Sequence, residues 1–350
     1  MLENEDEVVV YKEEEIVATI EKYFSKLFTP NACNLVHMKE FISEAIDPQV
    51  TDAKNAKLTD IPSTEEIKEA MFSIHQEKAP GPDGFSACFF QSNWEVVGRD
   101  KIKEVQDFFS SGWMPQIINE THVRLIPKGL GAKTTADYRP ISLCNVYYKT
   151  ISKLLSRRIQ PILHSLISET QSAFVPKRAI SDNVLITHEV LHYLKNSRAE
   201  KHLSMAIKTD MSKAYDRLEW DFIRLVLERM NFHPTFTSWI MQCLTTVSYT
   251  FIINGVTRGF VKPGREIRQG DPLSTYLFIL CSEVLTGLCK SAHVKGLMKG
   301  VTIASQCPSL NHLLFADDTM FFCRANKKNA ESLKALLNTY EIVSGQLINK

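Results

Sequence analysis

Two adjacent aspartates set inside an otherwise apolar stretch, "HLLFADDTMFFC" from His312 to Cys323, constrain this chain more than any other feature. Leu313, Leu314 and Phe315 lead in, and Met320, Phe321 and Phe322 lead out. Apolar runs of this length bounded by polar residues read as buried strands, so the pattern predicts a hairpin with Asp317 and Asp318 at its turn. Aspartate is common in turns because its carboxylate bonds nearby backbone groups, which by itself explains an isolated Asp-Asp. Two close carboxylates in apolar surroundings nevertheless repel one another and lose hydration unless cations or hydrogen bonds offset this. A divalent metal would resolve the conflict if the chain supplied a further ligand.

Asp210 is the candidate, since it closes a second strand-like run, "SMAIKTD". If the two strands lie side by side, three carboxylates converge on a spot suited to a hard, oxygen-loving cation. Magnesium is the expected ion, with manganese as a substitute. Two such ions about 4 Å apart activate an attacking oxygen and stabilise a leaving one in displacement at phosphorus. An Asp and a distant Asp-Asp pair would also suit a phosphatase, a nuclease or a kinase, so this signal leaves the reaction open.

With 350 residues, 44% of them hydrophobic, the chain can bury a sizeable core and hold two or three subdomains. No apolar run approaches the roughly 18 residues of a membrane span, and the acidic N-terminus has nothing of a signal peptide. A soluble, intracellular protein without a membrane partner is expected, in nucleus or cytoplasm. The eight cysteines include no C-x-x-C pair, which fits reduced thiols used in packing. Net charge is +1, but it is unevenly spread: residues 1 to 21 hold eight acids and one lysine, whereas 120 to 158 hold eight Lys or Arg against Glu120 and Asp137. A neutral total can thus hide a basic surface for a phosphate backbone.

Helical spacing predicts a helix over 13–28, then a loosely structured connection to about residue 60. Ser63 and Glu66 form a capping box opening the next helix. It ends at "KAPGPDGF", an irregular loop, with a further helix over 96–110. "THVRLIPKG" and "DYRPISLC" read as two strands, and a helix over 145–162 follows. Lys149, Lys153 and Arg157 repeat along one face of it, either as solvated surface or as a template or primer contact. A helix from Arg217 is expected to take Asp216 as its cap. "YTFIINGVTRGFV" is a hairpin turning at Asn254-Gly255, "RQGDPLS" opens an apolar helix from Leu273 to Cys289, and a last helix covers 327–343.

"IKTDMSKAYD", "GREIRQGDPLS" and "LLFADD", in that order, resemble the palm motifs of reverse transcriptases. "KAPGPDGF", "RLIPKG", "DYRPISLCNVYYKTISKLLSRRI" and "QSAFVPKRAISDN" are similar to the segments that precede the palm in LINE-type (non-LTR) retrotransposons, especially those of plants. The resemblance covers about Ile61 to Lys350. It implies an α+β, right-hand polymerase fold, with fingers and an antiparallel palm sheet backed by helices. The expected segments are an N-terminal helix and connection over 1–60, fingers over 61–200 and palm over 201–350.

The resemblance also implies roles. Asp210 and Asp317 match the metal-binding aspartates, with the backbone carbonyl of Met211 as an extra ligand and Asp318 as a supporting catalytic charge. Tyr215 matches the aromatic beneath the nucleotide sugar, where a ring excludes a 2′-hydroxyl; a packed core tyrosine is the alternative. Lys128 and Arg139 resemble residues that hold the incoming triphosphate, one a point charge and the other a planar fork of donors. Gln269 and Gly270 match the loop beside the nascent base pair, and Asp271-Pro272 is expected to shape the turn into the following helix. The implied reaction is RNA-directed DNA synthesis from deoxynucleoside triphosphates, on an RNA template with a DNA or RNA primer; protein partners are not indicated.

Thr275 stands where the family usually has proline. "SGQLINK" looks like the start of the motif after the catalytic hairpin, with the sequence stopping inside it, and the lysine that in the family is thought to help protonate pyrophosphate is expected slightly further on. With no room for a thumb and no upstream endonuclease, the chain is expected to be a fragment of a larger polyprotein. The alternatives are an inert remnant, an RNA-binding module, or a relative of group II intron maturases.

Overall fold

Short strands and helices alternate without the regular strand–helix repeat of a parallel sheet, and a computed structural model covering residues 1–197, 203–304 and 306–349 shows a mixed α+β chain. It divides into two compact units, each discontinuous in sequence: Met1–Pro30 with Asn55–Arg158 and His233–Ser274, and Asn31–Lys54 with Ile159–Phe232 and Thr275–Lys350. The segment boundary expected between residues 200 and 201 lies outside the described residues.

Strands β1 (Leu2–Glu3) and β2 (Val9–Val10) pair ahead of α1 (Glu13–Leu27), which buries Ile20, Phe24 and Leu27 as its helical spacing predicts. Two helices, α2 (Leu35–Ala45) and α3 (Asp52–Thr59), occupy the stretch expected to be a loose connection. Asn34 caps α2 by accepting from the N–H groups of Val36 and His37. Met38 and Ile42 bury too narrow a stripe to register as a periodic run. Next comes α4 (Thr64–Phe72), which begins at the predicted Ser63–Glu66 capping box. The proline-glycine loop follows, then a short helix not foreseen, α5 (Ala87–Ser92), and α6 (Trp94–Ser111), which ends where Gly112 turns left-handed at φ 70°.

After the single turn α7 (Gln116–Asn119), β3 (Glu120–Pro127) and β4 (Tyr138–Cys144) pair antiparallel in the predicted positions. Helix α8 (Val146–Ile159) stops three residues earlier than the expected 162, because Pro161 lacks the N–H needed to continue it, and gives way to a 3-10 turn. Then come α9 (Leu163–Leu166), α10 (Ile180–Asn196) and β5 (Ser204–Thr209). The helix expected from Arg217 is instead two, α11 (Ala214–Arg217) and α12 (Trp220–Arg229), separated by an extended Leu218. Glu219 N–H is taken by the Ser344 carbonyl at 3.1 Å, which breaks the helix. Asp216 is therefore a buried member of α11 and not the cap of the following helix.

Helix α13 (Pro234–Thr245) leads to β6 (Ser248–Ile253) and β7 (Val256–Val261), joined at Asn254 and Gly255 with φ 52° and 84°, as a tight turn requires. In the first unit β4, β3, β6 and β7 form one sheet in that order, with β3 and β6 parallel. Helix α14 (Pro272–Val294) is long and apolar enough to cross a membrane by length and composition, contrary to the expectation from the sequence. Yet 72% of that apolar stretch is buried, as in the core helix of a globular fold. Strands β8 (His312–Phe315) and β9 (Asp318–Arg324) form the expected hairpin and precede α15 (Lys327–Ser344). In the second unit β5, β9 and β8 form an antiparallel sheet in that order, packed through Leu313 and Phe322 on Val190 of α10 and Val301.

Candidate active site

The pairing of β5 with β9 brings the acids together. Their register runs from Ser204 opposite Arg324 to Thr209 opposite Thr319, so Asp210 leaves β5 at the end where β9 begins with Asp318. On the other side of β9, Phe315 pairs with Asp318, which leaves Ala316 and Asp317 as the two-residue turn. Ala316 takes a left-handed φ of 54° there. The hairpin expected from the apolar runs is thus present, with Asp317 at its tip.

Burial pushes the Asp317 carboxyl above the ordinary aspartate range, a backbone hydrogen bond pulls it down, and the charges of Asp210 and Asp318 push it up again. Each neighbour has a partial answer to this crowding. Asp318 meets Lys208 Nζ at 3.0 Å, which in turn holds the lysine above its usual value. Asn349 Nδ2 donates to Asp210 Oδ2 at 3.0 Å, and the Asn349 N–H donates to the Asp210 carbonyl at 2.9 Å. Residues 346–349 thereby lie beside the start of the loop after β5, with Met211 bridged to Ile348 and Gln346 Nε2 donating to the Ala214 carbonyl at 2.8 Å. Met211 is buried. Tyr215 stacks on Phe278 of α14, ring centres 5.2 Å apart and 8° from parallel. Its phenol is held protonated well past its usual range by burial and, next, by the charge of Asp317.

Among the described residues no group of three or more His, Cys, Asp or Glu side chains forms a ready-made cage for a metal. The donor chemistry nonetheless suits a magnesium-like ion, which is held by one or two carboxylates and leaves the remaining positions to water and substrate phosphates. A half-buried carboxyl raised by two neighbouring carboxylates is a local excess of negative charge, and a divalent cation is the species that would relieve it.

The remaining candidates belong to the first unit. Lys128 and Arg139 are both exposed at the β3–β4 connection, where Lys128 Nζ donates to the Ala136 carbonyl at 3.0 Å. Gln269 lies beside β4, its carbonyl accepting from the Ser142 N–H at 3.0 Å. Gly270 is exposed at φ 102°, a conformation that side-chain-bearing residues avoid. Asp271 is buried and accepts from Tyr148 Oη at 2.9 Å and from Ser152 Oγ; Ser152 Oγ also receives the Leu273 N–H at 3.2 Å. Asp271 therefore shapes the turn into α14, as expected. The stripe on α8 has a structural use: Lys149, Lys153 and Arg157 donate to the carbonyls of Ala79, Ser73 and Glu69. They tie down the end of α4 and the proline-glycine loop beyond it, and burial lowers the two lysines.

Lys208 and Asn349 escaped the sequence. Lys208 had a signal, because residues two apart in a strand share a face and Lys208 stands two before Asp210. Asn349 had none, since its place depends on how the chain returns.

A three-stranded sheet thus gathers an Asp from one strand end and an Asp-Asp from the adjoining hairpin, an arrangement of carboxylates suited to metal-assisted displacement at phosphorus. The model of the reverse transcriptase (RNA-dependent DNA polymerase) family matches residues 126–348, and the chain belongs to that family. Most of the similar proteins carry the names of transposable elements. It is 28% identical over 262 residues to a transposon TX1 uncharacterized 149 kDa protein of Xenopus laevis, covering 75% of this chain and 20% of the relative. It is 26% identical over 281 residues to the Pol polyprotein of a type-1 retrotransposable element R2 of Nasonia vitripennis, covering 80% and 25%. A plant protein, an uncharacterized mitochondrial protein of Arabidopsis thaliana, is 59% identical over 69 residues, covering 20% of this chain and 57% of the relative. The chain spans about a fifth to a quarter of the length of the two element proteins. Reverse transcriptase domains generally use divalent metal ions, in keeping with the carboxylates gathered here.

Proposed function

We propose that this domain carries out RNA-templated DNA synthesis for a non-LTR retrotransposon, adding deoxynucleotides to a primer 3′-hydroxyl. The observation that carries this is the adjacency of Asp210, Asp317 and Asp318 at one end of the β5-β9-β8 sheet, in a chain of the reverse transcriptase family. On this reading residues 61–200, with β3 and β4, belong to fingers, and residues 201–350, with the β5-β9-β8 sheet, belong to palm. Asp210, Asp317 and the Met211 carbonyl would hold magnesium, or manganese in its place. When bound, two such ions lower the barrier to attack at the α-phosphate by stabilising both the attacking and the leaving oxygen.

The side chains supply the rest. Asp318 balances Lys208 and so keeps a cation from closing on the other two acids. Tyr215, fixed flat against Phe278, offers a rigid ring edge against which a deoxyribose fits and a 2′-hydroxyl clashes. Lys128 and Arg139, both exposed, can pair with triphosphate oxygens, and the missing side chain of Gly270 lets backbone come close to a base. Template or primer contact by Lys149, Lys153 and Arg157 would have to compete with their present bonds to carbonyls.

Primer extension on an RNA template in magnesium tests this, comparing the chain with Asp317→Ala. Extension by the former is expected to fall by about a hundred- to a thousandfold in the latter, the scale of losing an electrostatic group that acts on the transition state. A folded, unmutated chain that extends no primer would refute catalysis by this chain and favour an RNA-binding role.

A further inference from the structure

Gln171 is fully buried and reaches the hairpin that carries Asp317. Its side-chain oxygen accepts two backbone N–H groups, that of Ala173 at 2.9 Å and that of Ala316 at 3.1 Å. The side-chain nitrogen faces Ser282 Oγ of α14 at 3.4 Å. The segment around it runs along β8: Leu314 donates to the Thr170 carbonyl at 2.8 Å, and Ser172 donates back to the Leu314 carbonyl at 3.2 Å. Asn183 Nδ2 adds a bond to that same Leu314 carbonyl at 2.7 Å. Arg178 Nη1 binds the carbonyls of Ser168 and Gln171, each at 2.6 Å. Gln171 is thus a fixed post held on several sides.

What it holds is the least comfortable residue of the hairpin. Ala316 has a Cβ and a left-handed φ of 54°, a strained conformation that persists only where surrounding contacts impose it. Ala316 is also buried, so an N–H left without an acceptor would add the desolvation penalty of an unsatisfied donor. The Gln171 oxygen meets both demands with one bond. It thereby fixes the peptide plane entering Ala316, one residue before Asp317, and so limits where the Asp317 carboxylate can point.

We infer that Gln171 is a positioning residue that holds Asp317 in its cation-binding orientation through the Ala316 turn, without touching substrate. This rests on the proposal that Asp210 and Asp317 are the metal ligands. A merely structural glutamine would affect melting and leave the metal affinity of the folded chain alone. A positioning glutamine changes that affinity, as partners that orient metal ligands do, by about tenfold or more.

The test is direct Mn²⁺ binding, followed by the electron paramagnetic resonance of free Mn²⁺, together with thermal melting. It compares the full chain with Gln171→Met, Gln171→Met/Ala316→Gly and Asp317→Asn. Gln171→Met is expected to weaken Mn²⁺ binding by about tenfold. Adding Ala316→Gly should recover melting temperature, because glycine takes a left-handed φ freely, while binding stays weak because the turn is no longer held. Where Gln171→Met fails to fold, the double variant supplies the measurement. Binding as tight as that of the unmutated chain in either folded variant would overturn the inference. Unchanged binding in Asp317→Asn would instead overturn the assignment of the metal ligands themselves.

Discussion

Asp317 illustrates at the residue scale how a site can work against the fold that contains it. Its carboxyl is raised by burial and by Asp210 and Asp318, so between the unfolded and folded pKa values the folded state binds more protons than the unfolded one. Stability therefore falls as pH rises through that window, and at neutral pH the charged form is a net cost to folding. Asp317→Asn removes the charge and keeps the shape. In metal-free buffer at pH 7 it is expected to raise the melting temperature of the chain slightly, a small effect because the partly exposed side chain is screened by water. The gain should vanish in acid, where both side chains are neutral. Magnesium should raise the melting temperature of the unmutated chain and not that of the variant, because a ligand stabilises only the state that binds it. Equal melting curves at pH 7 would show that the three acids do not crowd one another as their geometry indicates.

The β8–β9 hairpin is the element whose integrity matters most, and its first residue gives it an acid sensitivity. His312 is buried, with Nε2 3.1 Å from Thr170 Oγ1 and Nδ1 2.6 Å from Asn311 Oδ1, and burial pushes its pKa down to about 3. The unfolded chain takes up the proton near pH 6.5 and the folded chain only near pH 3, so stability is fully present above the former and is lost progressively as pH falls toward the latter. His312→Gln keeps hydrogen-bonding groups and has no charge to gain. Denaturant midpoints measured from pH 7 to pH 4 should decline less steeply in this variant than in the unmutated chain. Parallel declines would place the acid sensitivity elsewhere. The hairpin itself was legible in the sequence, because two short apolar runs flanking a polar turn are a local pattern. The break between α11 and α12 was not, because it follows from Glu219 N–H bonding Ser344, far along the chain.

For the whole molecule, a net charge of +1 conceals how the basic segment is used. Of its eight cations, Lys149, Lys153, Arg157 and Arg158 are directed at carbonyls or carboxylates of their own unit. Arg124, Lys128, Lys133 and Arg139 are exposed around β3 and β4. RNA binding is therefore expected to weaken with salt, and Arg139→Ala should lower the slope of log affinity against log salt by about 0.7, the value for one phosphate contact with a single strand. Asp210→Ala should leave that slope unchanged, since phosphate contact and cation binding are separate. Lys153→Met should lower the melting temperature and leave the slope alone; a changed slope there would mean that the α8 stripe leaves its carbonyls to meet nucleic acid.

The family, the order of its motifs, the candidate acids and the turn that presents them could all be read from the chain before it folds. These depend on residue type and on periodicities of a few residues, which a chain displays without folding. That β5 lies beside β9, that β3 runs parallel to β6, and that Asn349 and Gln171 reach Asp210 and Ala316 emerged with the folded chain alone. Such pairings join residues far apart in the chain. They form only where the buried surfaces they complete outweigh the entropy of closing long loops, a balance that no local stretch of sequence contains.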